Sequence, residues 1–201
     1  MEMLLSTNPI AVGVPGADGQ PVVLDMATTV AAYGKVKAKA KRGEMMPEGW
    51  MIDRQGQPLL DPKRAEEGFL LPIGGHKGYG LALIVGLLAG TLNGAAMGKD
   101  VVDFNHDDVT PTNTGQSILV IDLNAFGDPT FFKAAVAKLV NDIHNSQRLP
   151  GVDKIWLPGE QSEQRRNAYA VSGIPIPDNL VNELNTLALE LGIKPLTIAQ
   201  T

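Results

Sequence analysis

The segment Leu71-Pro-Ile-Gly-Gly-His-Lys-Gly-Tyr-Gly-Leu81, with the apolar run behind it, constrains this chain more than any other stretch. Gly74, Gly75, Gly78 and Gly80 allow a sharp backbone turn and a close approach to a ligand or another segment. The following Leu-Ala-Leu-Ile-Val-Gly-Leu-Leu-Ala-Gly is apolar on every face, which predicts a buried helix from about Tyr79 to Leu92. It is shorter than the roughly 20 apolar residues that a bilayer span needs. Gly78, Ala82, Gly86, Gly90 and Gly94 recur at i, i+4 steps, so one ridge of the helix is nearly bare and a neighbour can pack close to it. Lys77 is the anomaly, because a cation at a helix start opposes the macrodipole. Two readings stay open: the ammonium swings out to water, or lysine, free N–H groups and dipole all face one anion, a phosphate or a carboxylate.

A length of 201 residues suits one domain, or one plus a small lobe, with a real core. The net charge of -5 gives no sign of nucleic acid or an acidic membrane surface as partner. The chain has no cysteine, which removes disulfides, thiolate nucleophiles and thiolate metal sites and suits a reducing cytoplasm. Its first residues lack the basic start and long apolar run of a signal peptide.

In chain order, Pro9-Ile-Ala-Val-Gly-Val-Pro15 and Pro21-Val-Val-Leu-Asp25 read as a hairpin around Gly16-Ala-Asp-Gly19. So few residues precede the first strand that the chain starts almost inside a sheet. A helix to about Arg42 is expected next, capped by Thr28 or Thr29, with Lys35, Lys37, Lys39, Lys41 and Arg42 solvated on its far half. Residues 43–70 read as turns with little regular structure, Trp50 plugging the loop down. The acidic stretch from Lys99 to Gly115 reads as a solvated loop, since its carboxylates lack calcium-loop spacing.

Ser117-Ile-Leu-Val-Ile-Asp-Leu123 reads as a central strand, apolar on both faces. Asp128-Pro129 opens a helix to about Gln147 with His144 in its last turn. Lys154-Ile-Trp-Leu157 reads as a short strand, and Gly159 permits a bend into a further helix. Glu160 either caps that helix or accepts from ligand hydroxyls. A final helix runs from Asn179 to Leu191 and ends at Gly192. The pattern predicts an α/β fold, a mixed β-sheet flanked by helices, with residues 1–150 as core and 151–201 as a C-terminal segment. The Gly-x-Gly-x-x-Gly fingerprint is absent, so nothing points to a Rossmann fold.

Five pieces stand in one order: Thr7-Asn-Pro9, Leu24-Asp-Met-Ala-Thr-Thr29, Met46-Pro-Glu-Gly-Trp50 with Asp53 and Gly56, the Leu71–Ala82 segment, and Leu157-Pro-Gly-Glu160. Together they resemble the malate/L-lactate dehydrogenase family of the non-Rossmann type, which includes sulfolactate and ureidoglycolate oxidoreductases. The resemblance implies hydride transfer between NAD or NADP and a 2-hydroxy or 2-oxo acid, a mixed-sheet fold and a homodimer. Carried over by position, Asp25, Met26, Ala27 and Thr28 resemble the cofactor-binding strand end. His76 and Lys77 resemble the nucleotide-contacting pair, and Gly159, Glu160 and Gln161 the last cofactor segment. The family's catalytic histidine would lie upstream of residue 1, so no catalytic residue is assigned, and the chain is expected to be the C-terminal two-thirds of such an enzyme. The alternative is an inactive nucleotide-binding or dimer-scaffold protein.

Overall fold

The computed structural model describes residues 4–5 and 7–197. They divide into two compact units, one ending at Pro158 and the other starting at Gly159.

The first unit opens with the expected hairpin. Strands β1 (Ile10–Val14) and β2 (Val22–Met26) pair antiparallel, from Ile10 opposite Met26 to Val14 opposite Val22, across a short 3-10 turn at Ala17–Gly19. Helix α1 (Tyr33–Arg42) begins later than the sequence suggests. Ala32 sits at its N-cap and no side chain caps it, because the hydroxyls of Thr28 and Thr29 are engaged elsewhere. Gly43, in the left-handed region at φ 67°, closes the helix by donating to the Ala40 and Lys39 carbonyls.

Residues 43–70 hold more order than expected. Strands β3 (Met51–Asp53) and β4 (Gly68–Leu70) pair antiparallel, with a 3-10 helix at Pro62–Glu67 capped by the Asp61 carboxylate. Each strand has only three residues, too few to leave an alternation in the sequence. The turn after β3 is set by Asp53, whose Oδ1 accepts from the amides of Gln55 and Gln57, both at 2.9 Å. Val36, Met46, Met51, Leu59 and Ala65 make the buried cluster of this region, and Tyr33, Trp50 and Leu70 pack against it, so Trp50 plugs the segment as expected.

Helix α2 (His76–Ala89) is buried only at Gly78, Ala82 and Gly86. The all-round burial expected of it is therefore corrected: Tyr79, Ile84 and Leu88 are exposed, since only the bare ridge meets packed neighbours. There the approach is as close as the glycines suggest. A Cβ on Gly86 would stand 2.8 Å from Asn8 Nδ2 and 3.0 Å from Met97 Cε.

The expected central strand at residues 117–123 is also corrected. This stretch runs without a ladder partner among the described residues and ends in a 3-10 turn at Leu123–Ala125, capped by Asp122. Residues 154–157, expected as a short strand, form no described strand either. Helix and strand are mixed as expected, but the described strands pair only in these two antiparallel hairpins. Helix α3 (Pro129–His144) starts as Asp128-Pro129 suggests, with the Asp128 carboxylate accepting from Thr130 N at 2.8 Å, and has His144 in its last turn.

The second unit holds α4 (Glu160–Ser172) and α5 (Asp178–Glu190), the latter followed by Gly192 at φ 65°. Val181 and Ala188, seven residues apart and so on one face of α5, are its buried side chains. No described helix is long and apolar enough to cross a membrane.

Candidate functional site

The first unit brings two of the three candidate segments side by side. After β2 the chain runs antiparallel to the segment that precedes α2. Ile73 N donates to Thr28 O at 3.0 Å, Val30 N donates to Leu71 O at 2.8 Å, and Thr29 bridges to Pro72. The turn Gly74-Gly75 follows at once, with φ of 58° and 61°, values that L side chains rarely adopt. Gly75 is the N-cap of α2, and His76 and Lys77 are its first two residues, both exposed. The first intrahelical bond there runs from Tyr79 N to Gly75 O at 3.0 Å, so the amides of the first turn point out of the helix end.

Gly78 explains why the turn is so tight. A Cβ at this position would overlap the Ile73 carbonyl oxygen and lie 2.7 Å from its carbon and 2.9 Å from Ile73 Cγ1. The start of α2 therefore folds back onto the segment that is stitched to Thr28.

Asp25, Met26, Ala27 and Thr28 differ in what they present. Asp25, opposite Ala11 in the hairpin, is exposed. Met26 and Ala27 are half-buried. Thr28 is fully buried, and its Oγ1 accepts from Asn8 N at 3.1 Å. Its side chain thus fixes the backbone and has no surface left for a ligand.

Asn8 is the residue that sequence reasoning passed over. Besides its amide bond to Thr28, its Nδ2 donates to Ala82 O at 2.8 Å. One residue, through its backbone amide and its side chain, thus ties the approach to β1 to both the Thr28 turn and the bare ridge of α2. Thr7 Oγ1 and Thr29 Oγ1 are bonded at 3.0 Å beside it. The signal was the Thr7-Asn-Pro9 piece, whose amide side chain is the right length to reach a helix face stripped by glycine.

The third candidate segment belongs to the second unit. Gly159 is the N-cap of α4 at φ 91°, and Glu160 and Gln161 are its first two residues, Glu160 half-buried and Gln161 exposed. Glu160 and Glu163 place two carboxylates in the first turn, where the dipole favours them.

Burial first, then the Glu66 and Asp103 carboxylates, pushes the Tyr33 phenol up, and the Asn105 amides hold Asp103 below the usual carboxylate range.

In chemical terms the first unit offers an exposed ammonium, outward amides at a helix N-terminus and a side-chain-free diglycine, which is a donor set for an anion. The exposed Asp25 carboxylate offers an acceptor for hydroxyls.

Residues 1–185 match the family model described as malate/L-lactate dehydrogenase. The malate dehydrogenase of Pyrococcus abyssi is 35% identical over 98% of this chain and 56% of its own length. The ureidoglycolate dehydrogenase (NAD(+)) of Escherichia coli is 33% identical over 94% of this chain and 53% of its own. The solved malate dehydrogenase of Pyrococcus horikoshii superposes with a TM-score of 0.84 at 30% identity, over 97% of this chain and 54% of that one. The chain thus spans about half the length of the relatives it matches. The motif order and the family match agree: this chain belongs to the malate/L-lactate dehydrogenase family.

Proposed function

We propose that the chain provides the cofactor-binding structure of an NAD- or NADP-dependent oxidoreductase that interconverts 2-hydroxy and 2-oxo acids. The observation that carries this reading is the junction of two candidate turns in one unit. Thr28 pairs with Ile73, and the Gly74-Gly75 turn opens immediately onto His76 and Lys77. When bound, the nicotinamide ring gives or takes the hydride. The chain's own residues hold it. Lys77 and the outward amides of α2 meet a phosphate, and Gly74 and Gly75 leave room for its approach. Asp25 accepts from ribose hydroxyls, with Met26 and Ala27 forming the strand end beside it. Thr28 keeps that strand end in place from within. Gly159, Glu160 and Gln161, at the start of α4, are a separate candidate cofactor-binding segment. Reduction of a ketone also needs a proton donor, and none of these residues is assigned that task.

The names of the relatives, malate and ureidoglycolate dehydrogenases, support 2-hydroxy acids as the substrate class. A cytoplasmic homodimer is the proposed state, in keeping with a chain free of cysteine.

Titration of the purified chain with NADH and NADPH, followed by nucleotide fluorescence, tests the reading. Replacing Lys77 by alanine removes a charge-assisted bond of about 1.5–3 kcal/mol, so affinity should fall by roughly 10-fold or more. Unchanged affinity in Lys77→Ala, or no response of the unaltered chain to either nucleotide, refutes it. Turnover of malate, lactate or ureidoglycolate then tests the activity itself.

A further inference from the structure

Asn93-Gly94 is the one Asn-Gly pair in the chain, and it sits just past the end of α2. Both residues answer a need of the fold. Gly94 closes the 3-10 turn Thr91–Asn93 at φ 72°, where a side chain would be strained. Asn93 Nδ2 lies 3.0 Å from Leu88 O and from Ala89 O, two of the carbonyls that the helix end leaves without an amide partner. The same nitrogen lies 3.0 Å from Gln116 O and 3.1 Å from Ser117 Oγ. Ser117 Oγ in turn donates to Leu88 O at 2.5 Å. A Cβ on Gly115 would overlap Ala89 O, so the incoming segment lies directly against the helix end that Asn93 ties it to.

The pair is also chemically labile. A glycine leaves its backbone nitrogen open to the side-chain carbonyl carbon of the asparagine before it. The Gly94 nitrogen gives its proton to a solvent base and bonds to Asn93 Cγ. The Cγ–Nδ2 bond breaks, and ammonia leaves after taking a proton from water. Water then opens the cyclic imide at either carbonyl, which leaves aspartate or isoaspartate at position 93. The net reaction consumes one water, releases one ammonia and oxidises nothing. Asn93 is exposed, so water reaches it. In the fold, however, Gly94 N donates to Thr91 O at 3.1 Å and Nδ2 is held by its four acceptors. Ring closure requires both sets of bonds to open.

We propose that Asn93-Gly94 is a deamidation site that the fold keeps shut, and that its conversion releases residues 116–117 from the end of α2. The product carboxylate only accepts hydrogen bonds, yet it would face the carbonyl oxygens of Leu88, Ala89 and Gln116. It would also place a negative charge at the negative end of the helix dipole. A transient opening of this corner thereby becomes a permanent one. The proposal stands apart from the cofactor reading.

The test incubates the full chain in mildly alkaline buffer, folded and unfolded in urea, and follows the conversion at position 93 by peptide mapping. The folded chain should convert more slowly by on the order of 10-fold or more. Ser117→Ala removes one tie and should speed conversion in the folded chain while leaving the urea rate unchanged. Equal rates in the folded and unfolded chain, no conversion in urea, or a Ser117→Ala chain that matches the unaltered one each overturn the protection. Asn93→Asp stands in for the product. In it the amides of Gly94 and Ala95, bonded to Thr91 O and Gly90 O, should exchange faster, while that of Leu71, bonded to Trp50 O, stays protected. Unchanged exchange at Gly94 and Ala95, or faster exchange at Leu71 as well, overturns the local release.

Discussion

Replacing Gly78 by alanine should break the junction that holds the Gly74-Gly75 turn. The new methyl would overlap the Ile73 carbonyl oxygen and lie 2.7 Å from its carbon, where carbon atoms pack at about 3.5–4.0 Å. Backbone must therefore shift by about 1 Å, because the obstacle is not a side chain that can rotate away. Overpacking of this kind costs about 1–3 kcal/mol. The shift also threatens the 3.0 Å bond from Ile73 N to Thr28 O, a contribution of about 0.5–1.5 kcal/mol. Alanine's better helix propensity offsets up to about 1 kcal/mol. The net expectation is a loss of about 2 kcal/mol. Gly80, two residues on in the same helix, has nothing within 4 Å of an added Cβ, so Gly80→Ala should gain about 0.5–1 kcal/mol. Urea unfolding followed by tryptophan emission reads both variants, because Trp50 and Trp156 both belong to the first unit and Leu71 N bonds to Trp50 O at 2.9 Å. The reasoning fails if the two variants shift the midpoint equally, or if Gly78→Ala matches the unaltered chain.

Asn8→Ala removes the 2.8 Å bond to Ala82 O and unpacks the bare ridge at Gly86, so it should cost about 1–2 kcal/mol in the same urea assay; an unchanged midpoint would deny Asn8 its tie. The Asp103 carboxyl is held below its usual range chiefly by the backbone amide of Asn105, then by its side-chain amide. A depressed folded value means that the stabilisation is complete above the unfolded pKa of about 4 and is lost as pH falls through the lower folded one. Carboxyl titration by NMR should place Asp103 below a peptide reference, and the Asn105 amide should lose protection only in that acid range. A reference-like Asp103 would contradict the geometry.

What could be read from the sequence followed the strength of the local signal. The Asp128-Pro129 helix start, the β1–β2 hairpin and the bare ridge of α2 each carry a local chemical reason, and each is present. β3 and β4 were missed because three residues show no period. Thr28 and Thr29 look like caps because hydroxyls favour that place, but a tertiary bond from Asn8 N engages Thr28, and Thr29 donates locally to Ala31 O. Residues 118–121 were read correctly as apolar on both faces, yet periodicity reports what a strand needs, not whether a described neighbour supplies it. In the candidate site, the motif order pointed to the segments. It could not show that Thr28 faces inward while Asp25 faces water.

The two backbone bonds between residues 28–30 and 71–73 act as a clasp. Everything from Ala31 to Leu70 hangs beyond it as a lobe, and the whole cluster of Val36, Met46, Met51, Leu59 and Ala65 lies in that lobe. Lengthening a flexible loop adds only a logarithmic entropy, about 0.6 kcal/mol per doubling. Insertions at the exposed Arg54–Gln57 tip would thus leave the clasp, and with it the aim of His76 and Lys77, where they are. The lobe can vary in length over evolutionary time without disturbing the diglycine turn that it supports.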